Sequence, residues 1–340
     1  AHTRRSTRSA TGLALIWDYH APWWLPGGNA QTIYSAKLAR RYHGVKPRWL
    51  RERWDTPDGD FVDVDWRCDD FALPDDAPLL ILFHGLEGSS SSHYAEAFAQ
   101  ETQARGWRMA IPHFRGCSGE INWAPRAYHS GDFEEVDWIL KRFHSQHSMP
   151  IYAVGISLGG NALMRWAGEM GHAAAQIVHG VASVCSPIDL AASGHAIDSG
   201  FNKSVYARMF LGSMKPRAMQ KLQQFPGLFD PQELMAATTL YAFDNVFTAP
   251  LHGFRSTDDY WDRASAKPGL SRVQVPALVL NARNDPFIPA SCLPTHDQVS
   301  GHVTLWQPEE GGHVGFASGT FPADLQEMPW AVLEWMTQHG

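Results

Sequence analysis

The sequence lacks several features that would assign it to a class of protein directly. Its 340 residues include four cysteines, none in a CxxC spacing, so neither a zinc or redox motif nor a disulfide framework is indicated. Free thiols suit a reducing compartment, and we expect a cytoplasmic protein. No apolar run reaches the ~18 residues that a membrane-spanning helix requires. The net charge of −7, with 28 scattered basic residues, argues against nucleic-acid binding.

The first residues are predicted to form a flexible basic arm, residues 1–25. Three arginines precede the apolar stretch GLALIW, which superficially imitates a signal peptide. That stretch is shorter than the usual ~7 to 15 apolar residues, and Asp18 soon follows it. Residues 26–340 are predicted to form one domain. The sequence leaves open whether the arm contacts a membrane surface and which oligomeric state the protein adopts.

The arrangement of apolar runs predicts an α/β protein. Residues 45–70 alternate apolar and polar side chains around the turn sequence PDG, which predicts an antiparallel hairpin. Short apolar runs then alternate with helical segments, as in a mostly parallel sheet covered on both faces. These runs are PLLILFHG, RMAIPHFRG, PIYAVGIS, IVHGVASVCSP, VPALVLNAR and HVTLWQPEE.

The alternation stops over residues 188–268, a helical stretch rich in Met and Phe. We expect this stretch to be an insertion above the strand ends that acts as a lid, although two ordinary connecting helices are the alternative. Apolar side chains in it are candidates for the wall of a binding pocket, and their helical spacing is equally consistent with core packing. The candidates are Phe201, Tyr206, Met209, Phe210 and Met214.

A glycine-flanked serine marks the candidate site of chemistry. Gly155, Ser157 and Gly159 fit the pattern G-x-S-x-G, with an apolar strand before the pattern and a helix after it. Such a strand-to-helix turn exposes the serine hydroxyl and needs small neighbours where backbones pass closely. The pattern alone is also compatible with a plain turn. Its position after a strand favours a nucleophile.

A serine nucleophile requires a base and a carboxylate that orients the base. His313, in the glycine-rich stretch PEEGGHVGF beyond the last apolar run, is the candidate base. Asp285, in NARNDPFIP, is the favoured carboxylate because it follows a strand and gives the chain order Ser, Asp, His. Asp189, in CSPIDL, is the competitor, and turn formation beside proline is an alternative for either aspartate.

The negative charge that develops on the substrate oxygen needs two backbone N–H donors. Leu158, the residue after the serine, is one candidate, and Leu86, in HGLEGSSSSHY, is the other. His84, in the same stretch, has no partners at zinc-ligand spacing, so a structural role is expected for it. We predict neither a metal nor a cofactor.

Several stretches together resemble one branch of the α/β-hydrolases, the YheT-like branch (EMB8-like, ABHD1/2/3-type). They are GGNAQTI, RWDTPDGDFVDVDW, HGLEGSSSSHY, RGCSGEINWAPRAYHSGD, VGISLGGNAL, NARNDPFIP and GGHVGF, within residues 27–316. The resemblance implies an α/β-hydrolase fold with a helical lid insertion, and it places the family's catalytic triad on Ser157, Asp285 and His313.

The resemblance also implies hydrolysis of carboxylic esters, such as acyl glycerols, phospholipids or medium-chain esters. The H-x-x-x-x-D motif of acyltransferring members is missing, because no histidine here has Asp five residues later. Alcohol acyltransfer and thioester hydrolysis stay open because both can use the same triad. The alternative outside enzymes is a catalytically silent ligand-binding protein with this fold.

Overall fold

A mixed sheet of eight strands runs through the protein in the computed structural model, which describes residues 17–340. The strands lie in the order β1-β2-β4-β3-β5-β6-β7-β8. Their bounds are β1 Trp49–Asp55, β2 Phe61–Arg67, β3 Leu79–Phe83, β4 Arg108–Pro112, β5 Ile151–Ile156, β6 Gly180–Val184, β7 Ala277–Leu280 and β8 Val303–Trp306. The hairpin β1-β2 is antiparallel and joins β4 in antiparallel register, whereas β3 to β8 pair in parallel. The predicted architecture is confirmed.

The central strands are apolar throughout because helices cover both faces of the sheet. Every residue of β3 (LLILF) and β5 (IYAVGI) is buried. Helices α3 and α4 pack on one face, and α2 and α12 pack on the other. The helices are α1 Gly28–Lys37, α2 His93–Ala104, α3 Phe133–Gln146, α4 Leu158–Met170, α5 Leu190–Ile197, α6 Gly200–Asn202, α7 Arg208–Gln224, α8 Pro231–Ala236, α9 Leu240–Phe243, α10 Ala249–Leu251, α11 Thr257–Ala264 and α12 Glu327–His339.

The chain between β6 and β7 is a helical insertion, as predicted, and it contains α5 to α11. Two π-helical turns, Lys203–Ala207 and Asp244–Thr248, interrupt its helices. Much of the insertion packs into an apolar cluster of its own that also includes Phe287 and Ile288 from the loop after β7. The insertion is therefore anchored above the strand ends, and its opening as a lid stays a prediction.

The prediction of a flexible arm over residues 1–25 is wrong for residues 17–25. Its first part, residues 1–16, lies outside the described residues. Trp17, Tyr19 and Leu25 are buried, and the Trp17 ring lies 5.4 Å from that of Phe316 between centroids. Residues 17–25 thus belong to the folded domain, because these three apolar side chains pack into its core. Within the described part of the chain, no helix is long and apolar enough to cross a membrane.

A buried arginine joins the N-terminal hairpin to the parallel part of the sheet. Arg115, in the loop after β4, contacts Asp58 at 2.6 Å and Asp60 at 3.2 Å in the hairpin turn. Its Nε atom also donates to Glu135 of α3 at 3.0 Å. Asp60 and Glu135 are buried, and Arg115 is the cation that pairs with both, while Arg126 also contacts Glu135 at 3.4 Å.

Replacing this arginine should destabilise the fold strongly. Arg115→Met should lower the free energy of unfolding by about 3 to 5 kcal/mol, because it leaves buried carboxylates without their cation. Urea denaturation followed by circular dichroism measures the change. Arg255→Met is the matched control, because Arg255 forms an i,i+4 pair with Asp259 while its side chain is 87% exposed. Equal losses in the two variants would contradict the structural role of Arg115.

Candidate active site

Ser157 occupies a sharp turn between β5 and α4. Its backbone has φ 52° and ψ −119°, a conformation that is strained for a residue with a side chain. The Ser157 N–H donates to Val184 O at 2.9 Å, which ties the turn to β6. A Cβ atom at Gly159 would lie 2.4 Å from the carbonyl oxygens of Phe83 and His84, so glycine is required there. The turn therefore has the strained strand-to-helix geometry of a nucleophile elbow.

The structure brings Asp285 and His313 together, although they are distant in sequence. Asp285 follows β7, His313 follows β8, and His313 Nδ1 lies 2.8 Å from Asp285 Oδ2. The other carboxylate oxygen of Asp285 accepts the Phe287 N–H at 2.8 Å. Burial raises the pKa of Asp285, and the charge and hydrogen bond of His313 act in the opposite direction. A carboxylate held in this way orients the histidine ring.

Phe287 connects this pair to the cavity that Ser157 lines. Its ring stacks on the His313 ring with centroids 4.0 Å apart, and it forms part of the cavity wall together with Ser157. The hydrogen bonds of residues 17–340 include none between Ser157 Oγ and His313. Such contacts are often long in the absence of substrate and tighten when it binds.

Asp189, the competing carboxylate, has a local role. It is the N-cap of α5, and its side chain accepts the Ala192 N–H at 3.1 Å. An aspartate at this position satisfies a backbone donor of the first helical turn. The structure pairs the histidine with Asp285.

The two predicted oxyanion donors lie at the same cavity. Leu86 and Leu158 both line it, and neither N–H group donates a hydrogen bond within residues 17–340. By contrast, the N–H groups of Gly85 and Glu87, on either side of Leu86, donate to the hydroxyls of Tyr94 and Tyr128 at 2.8 and 2.9 Å. These bonds fix the loop while leaving the Leu86 N–H available for an anionic oxygen.

His84 is a structural residue in this loop. Its Nε2 atom accepts the Phe114 N–H at 2.9 Å, and its Nδ1 atom lies 2.8 Å from Gly85 O. Burial lowers the pKa of His84 to about 3, so the ring is neutral and holds one tautomer. Among the described residues, no group of three or more His, Cys, Asp or Glu side chains is arranged to hold a metal ion.

The cavity, of about 140 Å³, contains two of the five predicted wall residues. Phe210 and Met214 line it. Phe201 and Met209 do not, since they are 55% and 52% exposed and lie on the outer side of the insertion. Tyr206 is buried elsewhere, against Phe287, with ring centroids 4.5 Å apart. Helical spacing could not decide which of these side chains face the cavity, because packing against the sheet domain sets the inward face.

Two further features of the cavity were not found in the sequence. Arg217 of α7 forms an ion pair with Glu87 at 2.8 Å, which links the insertion to the loop that carries Leu86. Asp244 belongs to the insertion and also lines the cavity. Its carboxylate accepts from the Thr248 hydroxyl at 2.6 Å and from the Trp261 Nε1–H at 3.2 Å. Both features depend on contacts between distant segments, so no local pattern indicates them.

Comparison with known proteins identifies the superfamily. A family model described as the alpha/beta hydrolase fold matches residues 78–320, which is more than half of the chain. Among solved structures, the complex of DcsB with its substrate analogue has a TM-score of 0.56 at 14% identity, covering 86% of this chain and all of that one. The Pyrococcus furiosus esterase Pf2001 has a TM-score of 0.52 at 15% identity, covering 86% and 94%. These structures share the fold, and the protein is an α/β-hydrolase.

Closer relatives define the branch of that superfamily. YheT of Escherichia coli (strain K12) is 36% identical over 306 residues, which cover 89% of this chain and 88% of YheT. Phospholipase ABHD3 of Homo sapiens is 26% identical over 333 residues, covering 95% of this chain and 80% of ABHD3. Monoacylglycerol lipase of Saccharomyces cerevisiae is 27% identical over 302 residues, covering 84% and 61%. The chain belongs to the YheT-like branch of the α/β-hydrolases.

The buried carboxyl of Asp244 predicts a pH-dependent stability. Burial raises its pKa to about 7, so the folded protein keeps a proton that the unfolded chain loses near pH 4. The wild type should therefore lose stability as the pH rises from about 4 to about 7. Asp244→Asn removes this titration. We expect its stability relative to wild type to increase by at least about 1 kcal/mol between pH 5 and pH 8.

Urea denaturation of both proteins at the two pH values measures this difference. Asp258→Asn provides the control, because Asp258 is also an aspartate of the insertion but lies at its surface near the Tyr241 hydroxyl. A constant difference between wild type and Asp244→Asn would show that Asp244 is ionised across this range.

Proposed function

We propose that the protein hydrolyses carboxylic esters through an acyl-enzyme intermediate on Ser157. The observation that carries the proposal is the placement of Ser157 on a strained turn that opens into the cavity. The paired Asp285 and His313 side chains, 2.8 Å apart, supply the base that such a serine requires. The assignment of these three residues as a catalytic triad is part of the proposal.

The proposed reaction uses these three side chains in turn. Ser157 Oγ attacks the ester carbonyl carbon while His313 Nε2 takes the hydroxyl proton. The Asp285 carboxylate accepts the Nδ1–H of His313, which leaves Nε2 unprotonated and able to accept the serine proton. His313 then returns the proton to the departing alcohol. A water molecule, deprotonated by the same histidine, attacks the acyl-enzyme and releases the acid and free Ser157.

The tetrahedral intermediate carries a negative oxygen that needs fixed donors. The N–H groups of Leu86 and Leu158 are the proposed donors, and loss of one such donor typically costs about 3 kcal/mol of transition-state stabilisation. Leu158 is the first residue of α4, so the positive end of the helix dipole adds to its N–H. Because the Leu86 loop is held by hydrogen bonds on both sides, its donor is oriented before substrate binds.

The reaction class is supported by the family, since relatives in this branch are named as an esterase, a phospholipase and a monoacylglycerol lipase. The protein is a carboxylic ester hydrolase. We further propose a medium-chain or lipid-like acyl group as the part of the substrate that enters the cavity. Its walls include the apolar side chains of Phe210, Met214, Phe243 and Phe247, which suit an acyl chain better than a polar group.

Ser157→Ala should abolish covalent labelling by a fluorophosphonate probe and lower ester hydrolysis by at least about 10³-fold, because the variant has no nucleophile. Gel fluorescence and p-nitrophenyl ester assays measure the two effects. Ser145→Ala, at an exposed serine of α3, is the control and should behave as wild type. Equal labelling of wild type and Ser157→Ala would refute the proposed nucleophile, and no labelling of wild type would favour a silent binding protein.

The rate of hydrolysis should depend on acyl-chain length. We expect an optimum within a series of p-nitrophenyl esters from acetate to palmitate, because the cavity has walls of fixed extent. Met214→Trp should move that optimum toward shorter chains by filling part of the cavity. Met209→Trp, on the same helix but at an exposed position, should leave it unchanged. A flat profile in the wild type would contradict an acyl pocket at this cavity.

A further inference from the structure

The N-terminal helix α1 lies against the two loops that carry Asp285 and His313. Its Gln31 side chain is completely buried. The Oε1 atom of Gln31 accepts two hydrogen bonds at 2.9 Å, one from Gly311 N–H and one from Asn284 Nδ2. Its Nε2 atom donates to Leu25 O at 3.0 Å. One buried carboxamide thus connects the loop after β7 with the loop after β8.

Thr32, the next residue of α1, binds the base itself. Its Oγ1 atom accepts the backbone N–H of His313 at 2.8 Å and donates to Gly28 O at 2.7 Å. Asn284 Oδ1 accepts the N–H of Gly312 at 2.9 Å. Three consecutive backbone N–H groups of the histidine loop, at residues 311 to 313, therefore donate to side chains of α1 or of the neighbouring loop.

The backbones of these segments also meet directly. A Cβ atom at Gly28 would lie 1.9 Å from Asn284 O, so only glycine permits this approach. A Cβ atom at Gly312 would lie 2.8 Å from Gly28 O and from Thr32 N. The contact between α1 and the two loops is therefore closely fitted, and it leaves little room for the loops to shift.

We propose that Gln31 and Thr32 are positioning residues that hold the His313 loop at the distance from Asp285 that catalysis requires. The inference rests on the proposed function of Ser157, Asp285 and His313. The histidine loop contains two glycines with positive φ, and such a loop has no regular secondary structure of its own to fix it. The hydrogen bonds from α1 replace that missing support. Neither residue contacts the reacting atoms, so their effect acts through His313.

Thr32→Val tests this role, because valine keeps the shape of threonine and removes the acceptor for the His313 N–H. A displacement of a catalytic group by about 1 Å costs about 100-fold in rate. We expect kcat per active site to fall 10- to 100-fold with KM changed less than threefold. Active sites are counted by fluorophosphonate labelling. Thr32→Ser keeps the hydroxyl and should restore kcat to within threefold of wild type.

Thr102→Val is the matched control for stability. Thr102 is a buried helical threonine whose hydroxyl also donates to the carbonyl four residues earlier, Phe98 O, at 2.8 Å. It also accepts a hydrogen bond from Arg67, far from the candidate active site. The control should lose stability without losing kcat. A purely structural role of Thr32 would give the same result for Thr32→Val, and that result would overturn the inference.

Two further variants distinguish failure of the positioning role from failure of the proposed function. Asn284→Ala, at a partly exposed side chain, removes the acceptor of the Gly312 N–H and should lower kcat by about 5- to 20-fold, which keeps the test decisive if Thr32→Val does not fold. Ser157→Ala is assayed in parallel. If Ser157→Ala is inactive while Thr32→Val and Asn284→Ala both keep the wild-type kcat, the positioning role is refuted and the proposed function stands. If Ser157→Ala stays active, the proposed function itself fails.

Discussion

The sharp turn at Ser157 is the constraint on which the rest of the candidate site depends. β5 is buried on both sides at the centre of the sheet, and α4 packs back over β5 and β6 on one face. The close approach of Gly159 to the carbonyls that end β3 leaves the turn no freedom to move. Every other group that acts on the substrate must therefore be brought to a fixed serine.

The parallel sheet brings groups from separate loops to the serine because the carboxyl ends of its strands meet at one edge. Leu86 follows β3, Asp285 follows β7 and His313 follows β8, so three separate loops converge above the same edge. This is why the sequence predicted these positions well. Each residue lies just after an apolar run, and an apolar run of strand length is a local signal that needs no knowledge of distant contacts.

Features that depend on distant contacts escaped prediction. Trp17 and Tyr19 follow a basic stretch typical of a flexible arm, but the Tyr19 hydroxyl donates to Ala317 O, and the ring packs against Phe316. In the insertion, Met209 and Phe210 were equally good candidates for the pocket wall by residue type. Adjacent helical residues point about 100° apart, so only the docking of the helix decides which one faces the cavity. The stretch GGNAQTI contains Gln31 and Thr32, which contact the loops after β7 and β8. No local pattern in the sequence indicates these contacts.

The two buried carboxyl groups near the cavity show how a partner sets the charge that a site can use. Asp244 accepts bonds from neutral donors alone, and burial raises its pKa to about 7. Asp285 is also buried, but His313 lies against it and opposes the effect of burial. In the proposed mechanism, His313 takes the proton of Ser157 and becomes a cation 2.8 Å from this carboxylate, where little water screens the attraction. On that proposal the attraction grows as the transition state forms, so the burial that is unfavourable for Asp285 in the resting protein would increase the rate.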